Sequence, residues 1–267
     1  DAAFASVHDL NGTGTLKQLE NDILQAGKQQ EVIEKLQDFN IRLVLTAHPT
    51  QFYPGPVLGI INDLSKALKE NNLTHINSYL QQLGKTPFFK KQKPTPFDEA
   101  NSLIWYLENV FYVASGRIIN FLKQQITDLG TTKHPIVQMG FWPGGDRDGN
   151  PFVTADITKK VGDALRGSII KCYYMDIRRL RRRLTFKGIE NILQDLETKL
   201  YNNLFVPGHQ ADISAQELTE SLESIREILL YQHNGLFLNL LNGLINKIEL
   251  FGLYFATLDI RQDSSVH

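Results

Sequence analysis

The chain has 267 residues and a mass of 30.4 kDa, with 42% hydrophobic and 21% charged residues; that excludes a disulfide mini-protein and a globally disordered chain. Twenty-eight basic against 29 acidic residues leave a formal net charge of −1, so no broad positive field draws the protein onto nucleic acid or a membrane surface. The single Cys172 can form neither an internal bridge nor a thiolate cluster, which fits a reducing compartment. With no apolar run long enough to span a bilayer and no signal-peptide layout in DAAFASVHDL, the expected location is the cytoplasm. The chain does not begin with Met, so further sequence is expected ahead of it.

From Thr15 to Phe39, apolar residues recur at roughly helical spacing, interrupted at Gly27, and predict one or two helices. Ile41 to Ala47, IRLVLTA, is short and apolar at nearly every position, as expected of a strand buried on both faces. Pro56 suits the first turn of a helix running to about Glu70, and Leu73 to Leu83 reads as another. Residues 84–97, GKTPFFKKQKPTPF, carry three prolines and four lysines and are expected to be an exposed connection. Asp98 is the expected cap of a long helix to about Leu129. Pro135 to Trp142 reads as a second strand, and Thr154 caps a helix that reaches to about Leu184, with Asp156 in its first turn. Helices over 189–202, 214–231 and 236–249 follow, and the apolar, aromatic run Leu250 to Ile260 is taken as a third strand.

Three buried strands separated by about 90 and 110 mostly helical residues are no ordinary βα repeat. A barrel needs about eight strands to close. The expected class is therefore mainly α: a helix-rich fragment, residues 1–267, carrying the first strands of an incomplete TIM-like α/β barrel.

Each strand runs into a polar cluster: Thr46, His48 and Thr50; Asp146, Arg147 and Asp148; Asp259, Arg261 and Asp263. The carboxyl ends of parallel strands form the reaction face of α/β enzymes, so these groups can converge on one ligand. His48 precedes Pro49, which biases it toward extended backbone and lets a stiffly projected imidazole shuttle a proton near neutral pH. In GGDRDGNP, the glycines permit close backbone approach, and Arg147 is expected between two carboxylates, as an oriented bidentate donor for phosphate or carboxylate or as a structural Arg–Asp knot. The alternation of Asp146, Asp148 and Asn150 is no calcium loop, because Pro151 stands at the sixth position and Ile157 at the twelfth. Arg178, Arg179 and Arg181 to Arg183 read as a solvated or ion-paired helix face, and Cys172 as a buried structural thiol. No phosphate loop, dinucleotide fingerprint or His-Glu-x-x-His motif occurs.

VLTAHPTQ at 44–51, GGDRDGNP at 144–151 and LDIRQDS at 258–264 resemble, in order, the phosphoenolpyruvate carboxylase family, whose polypeptides are much longer. The resemblance implies conversion of phosphoenolpyruvate and bicarbonate to oxaloacetate and phosphate, with Mg²⁺ or Mn²⁺, through carboxyphosphate and the enolate of pyruvate. It casts His48 as the group that takes the carboxyphosphate proton and Arg147 as the arginine that binds phosphate or stabilises its transferred charge. Asp146, Asp148, Asp259 and Arg261 would support the same face. It also implies a homotetramer for the full-length protein, with metal ligands outside this chain and none within it. Gln51 to Pro54 replace the Glu and Arg pair of many members, and no GRGG-type loop is present, so this piece alone is expected to be inactive. Two other readings stand beside this: a helical scaffold or interaction module that keeps the motifs as structural turns, and a phosphoryl-transfer enzyme with His48 as a phosphorylated nucleophile.

Overall fold

In a computed structural model, the residues described are Gly12, 14–46, 55–88, 94–125, 135–148, 150–209 and 213–266. Two short helices, α1 (Leu16–Ala26) and α2 (Gln29–Asp38), precede strand β1 (Ile41–Leu45). Thr15 caps α1 by accepting the Gln18 amide, and Gly27 ends it in the left-handed conformation, which is where the sequence pattern breaks. Helices α3 (Gly55–Lys69) and α4 (Leu73–Lys85) pack on each other as a hairpin, and α4 buries none of its own residues.

Helices α5 (Pro96–Tyr106) and α6 (Tyr112–Gln125) are joined through a single π-helical segment, Leu107–Phe111. The cap of α5 is Thr95, and Asp98 sits three residues on, returning its carboxylate to the Thr95 amide at 3.0 Å. Asp98 is thus the reciprocal half of a capping box, and Pro96 fills the first turn, so the helix starts inside the stretch expected to be wholly connection. The expected continuation to Leu129 falls outside the described residues.

Strand β2 (Val137–Phe141) leads into α7 (Ala155–Arg181), the longest helix described, capped by Thr154 as predicted. Val161, Leu165, Ile169, Tyr173 and Ile177 recur every four residues along it, each at most 1% exposed. This stripe is the spine of the core, against which α5, α8 (Glu190–Phe205) and α10 (Leu238–Phe251) pack, while α9 (Ala215–Gln232) packs on α10. Arg178 and Arg181 both reach Glu197 of α8, and Arg179 pairs with Asp176 at 3.0 Å, so part of the arginine run is ion-paired.

Polar groups stitch the helices where apolar stripes meet. Tyr112 of α6 donates to Asp176 of α7 at 2.8 Å, and Lys247 of α10 reaches the same carboxylate at 2.8 Å while lying over the Tyr112 ring. Burial and the Asp176 charge push the Tyr112 phenol well above its ordinary pKa. The Cys172 thiol, beside this network, is pushed up to about 12, first by burial and then by Glu108 and Asp176, so it stays a thiol at neutral pH, in keeping with a structural role.

The sheet has the order β1-β2-β3, all parallel, with β3 (Thr257–Leu258) only two residues long. The expected strand over Leu250 to Ile260 is therefore corrected. Leu250 and Phe251 finish α10, Gly252 turns the chain, and Phe251 stacks on Tyr112 while Phe255 meets it edge-on in the core. A short buried apolar run has no periodicity that separates a helix end from a strand.

The expected burial of β1 on both faces is also corrected. β2, in the centre, is largely buried, whereas Ile41, Leu43 and Val44 of β1 are 40–46% exposed. The sequence shows a strand apolar on both faces; the described helices leave that edge uncovered. The difference is measurable by urea unfolding. Ile169→Ala in α7 is expected to cost about 3 kcal/mol, and Leu43→Thr in β1 less than about 1 kcal/mol.

Candidate functional site

The carboxyl ends of the three strands are drawn together by backbone hydrogen bonds. The Trp142 amide donates to Leu45 O at 3.0 Å, joining the exit of β2 to that of β1, and the Asp259 amide donates to Phe141 O at 2.9 Å. Past the strands, the Arg261 amide donates to Gly145 O and the Arg147 amide to Arg261 O, each at 2.9 Å, a short parallel bridge between the DRD turn and the segment after β3.

Two glycines make that approach possible. Gly144 has φ +83°, and a Cβ there would lie 2.6 Å from Val161 of α7. At Gly145 a Cβ would stand 2.2 Å from the carbonyl oxygen of Asp259, which is backbone and cannot swing aside. The predicted role of these glycines in close backbone approach is what the structure shows.

Around this turn the charged residues pair differently from the sequence expectation. It is Arg261, not Arg147, whose guanidinium lies between two carboxylates, 3.5 Å from Asp146 and 3.5 Å from Asp148, while stacking over Trp142 at 4.8 Å. Asp259 is engaged by Arg42 of β1, and the pair crosses the face of Gly140, where a Cβ would meet Arg42 at 3.0 Å and Asp259 at 3.3 Å. These ion pairs are partly exposed and contribute at most about 1 kcal/mol each. The two backbone bonds and the dry glycine contact therefore hold the turn, at about 1 kcal/mol per hydrogen bond plus packing. Asp263 turns away: its carboxylate accepts the amide and hydroxyl of Ser265, each at 2.8 Å, which hold it below the usual carboxylate range.

Arg147 is left in a different state. Its side chain is half-buried and makes no ion pair among the described residues. Its Nη2 donates to Thr158 Oγ1 at 3.3 Å, and its Nε–H, shielded from solvent, meets no acceptor. A shielded charged donor without an acceptor costs free energy, and such orphans gather where a ligand supplies the partner. His48 and Thr50 lie outside the described residues. Thr46, two positions before His48, leaves β1 beside the Leu45–Trp142 bond.

Two contributors carried no signal in the sequence. Arg42 sits inside an otherwise apolar strand, and its pairing with Asp259 exists only through the sheet register. Thr158 is an ordinary helix residue by pattern. Among the described residues no three His, Cys, Asp or Glu side chains are placed to hold a metal ion, and the strand-end carboxylates are engaged by arginines. The described residues thus offer no centre for the divalent ion that the resemblance implies, whose ligands it places outside this chain.

A parallel sheet with charged residues gathered at its strand ends is the layout on which α/β enzymes bind ligands. The chain belongs to the phosphoenolpyruvate carboxylase family, whose model matches residues 3–204 and 203–267. It is similar to the phosphoenolpyruvate carboxylase of Shewanella sediminis, at 28% identity over 90% of this chain and 32% of the relative, and to that of Vibrio atlanticus, at 28% identity over 93% and 33%. The same enzyme of Aeromonas hydrophila is 26% identical over 90% of this chain. The chain spans about a third of the length of these curated relatives. Among the described residues no helix is long and apolar enough to cross a membrane.

Gly145→Ala tests the turn. It is expected to lower stability by about 2–3 kcal/mol in thermal or urea unfolding, whereas Asp148→Asn, which weakens only a partly exposed ion pair, changes it by less than about 1 kcal/mol.

Proposed function

We propose that the whole protein carboxylates phosphoenolpyruvate with bicarbonate, releasing oxaloacetate and inorganic phosphate, and that this chain supplies part of the reaction face. The observation that carries the reading is Arg147: a permanent cation anchored by one nitrogen to Thr158, with a shielded donor that lacks an acceptor, beside the ends of three parallel strands. Family membership supplies the substrate class.

In this reading a bicarbonate oxygen attacks phosphorus while the bond to the enol oxygen breaks, giving carboxyphosphate and the enolate of pyruvate. Arg147 donates to the phosphoryl oxygens, where negative charge accumulates during transfer; a guanidinium suits this because it stays protonated and presents planar donors. His48 takes the carboxyphosphate proton, the C–O bond to phosphate breaks, and the CO2 released is attacked by the enolate carbon. Asp146 and Asp148 pair with Arg261 and Asp259 with Arg42, and in this reading they support the site from around the turn.

The three parallel strands are read as the opening of a larger barrel, whose later part supplies the metal ligands and further anion contacts. The cytoplasmic location, on the single cysteine, and the homotetramer, on the family resemblance, belong to the same proposal. Because the resemblance places the metal ligands outside this chain, the 267-residue piece by itself is expected to be inactive.

In the complete protein, Arg147→Ala is expected to lower bicarbonate-dependent phosphate release at least about a hundredfold with the melting temperature kept. An unchanged rate in a folded variant would instead favour the scaffold reading.

A further inference from the structure

We infer that Thr158 is a positioning residue for Arg147, fixing the orientation in which the guanidinium is presented at the strand ends. This rests on the reading of Arg147 as the phosphate-binding cation.

Thr158 sits one turn into α7, four residues after the Thr154 cap. Its hydroxyl lies 2.7 Å from Gly144 O and 3.1 Å from Thr154 O, and 3.3 Å from Nη2 of Arg147. A hydroxyl has one proton to donate and two lone pairs. Helical threonines commonly bond back to the carbonyl four residues earlier, but here the shorter contact is to Gly144, so the proton goes to the turn. The lone pairs then face Arg147.

Thr158 thus ties together a carbonyl of the positive-φ residue and the side chain three positions beyond it. It does so from the longest helix described: Val161, on the same face and one turn further, is fully buried and closes on Gly144. Arg147 finds no other side-chain partner among the described residues, since Arg261 occupies both Asp146 and Asp148. Without the hydroxyl the guanidinium keeps its charge but loses the contact that sets its plane. A planar donor that must meet a phosphoryl group is sensitive to such a loss, because small misplacements of a positioned group cost rate in powers of ten.

The test is a cycle of variants in the complete protein, with steady-state kinetics and a melting curve for each. Thr158→Val keeps the shape and removes the hydroxyl; Thr158→Ala is made alongside so that one poorly folded variant does not decide the outcome. Both are expected to lower kcat about ten- to a hundredfold with KM for phosphoenolpyruvate changed less than about threefold, whereas Thr158→Ser restores the rate to within about twofold. In an Arg147→Lys background, where no planar fork remains to be oriented, removing the hydroxyl is expected to add no further loss. An unchanged kcat in folded Thr158→Val, beside a severe loss in Arg147→Lys, would overturn the inference and leave the reading of Arg147 standing. Equal losses in both backgrounds would overturn it too, marking Thr158 as merely structural. If Arg147→Lys itself keeps full activity, the functional reading falls first.

Discussion

The contact on which the rest depends is the passage of the Gly145 backbone against the carbonyl of Asp259, so close that no side chain can stand between them. It brings the turn after the central strand within hydrogen-bonding distance of the segment after the third strand and leaves two backbone hydrogen bonds of 2.9 Å as the fastening. Everything charged at the strand ends is arranged around that fastening. Arg261 spans the two aspartates of the turn, Asp259 is drawn to Arg42 across Gly140, and Arg147 is directed to the first turns of α7. Weak, partly exposed ion pairs decorate a geometry that backbone packing has already set.

The helices serve that geometry from below. α7 carries an uninterrupted buried stripe through the core, and its capped beginning lies against the turn, so the longest helix described abuts the residues of the strand ends. At the other end of the layer, Tyr173 donates to Gly252 O at 2.7 Å, and Asp176 gathers Tyr112 and Lys247, fixing the exit of α10 toward the third strand. Asp259 and Arg261 follow within a few residues. The long helical insertions thus set where the strand ends lie.

Much of this was legible in the sequence, because the signals were local. Thr154 with Asp156 two residues on predicted α7 and its cap, Gly27 marked the break between α1 and α2, and GGDRDGNP announced a tight turn with close backbone approach. What failed was non-local. Which arginine sits between the aspartates depends on a residue more than a hundred positions away, and the partner of Asp259 comes from a strand 217 residues earlier. The third strand was overlong because Phe251 and Phe255 are as apolar in an aromatic cluster as in a sheet. The burial of β1 was misjudged because an apolar strand records what it is built to bury, not what the described helices cover. Thr158 was invisible for the same reason: hydroxyl and guanidinium meet only after folding.

Amide hydrogen exchange at Arg147 and Arg261 tests the central contact most directly, since each amide donates across the junction and neither belongs to a regular strand. If the junction holds as described, both exchange together and at least about a hundredfold more slowly than in an unstructured peptide. Exchange of either at the rate of an open loop would show that the turn and the third strand are not fastened to each other.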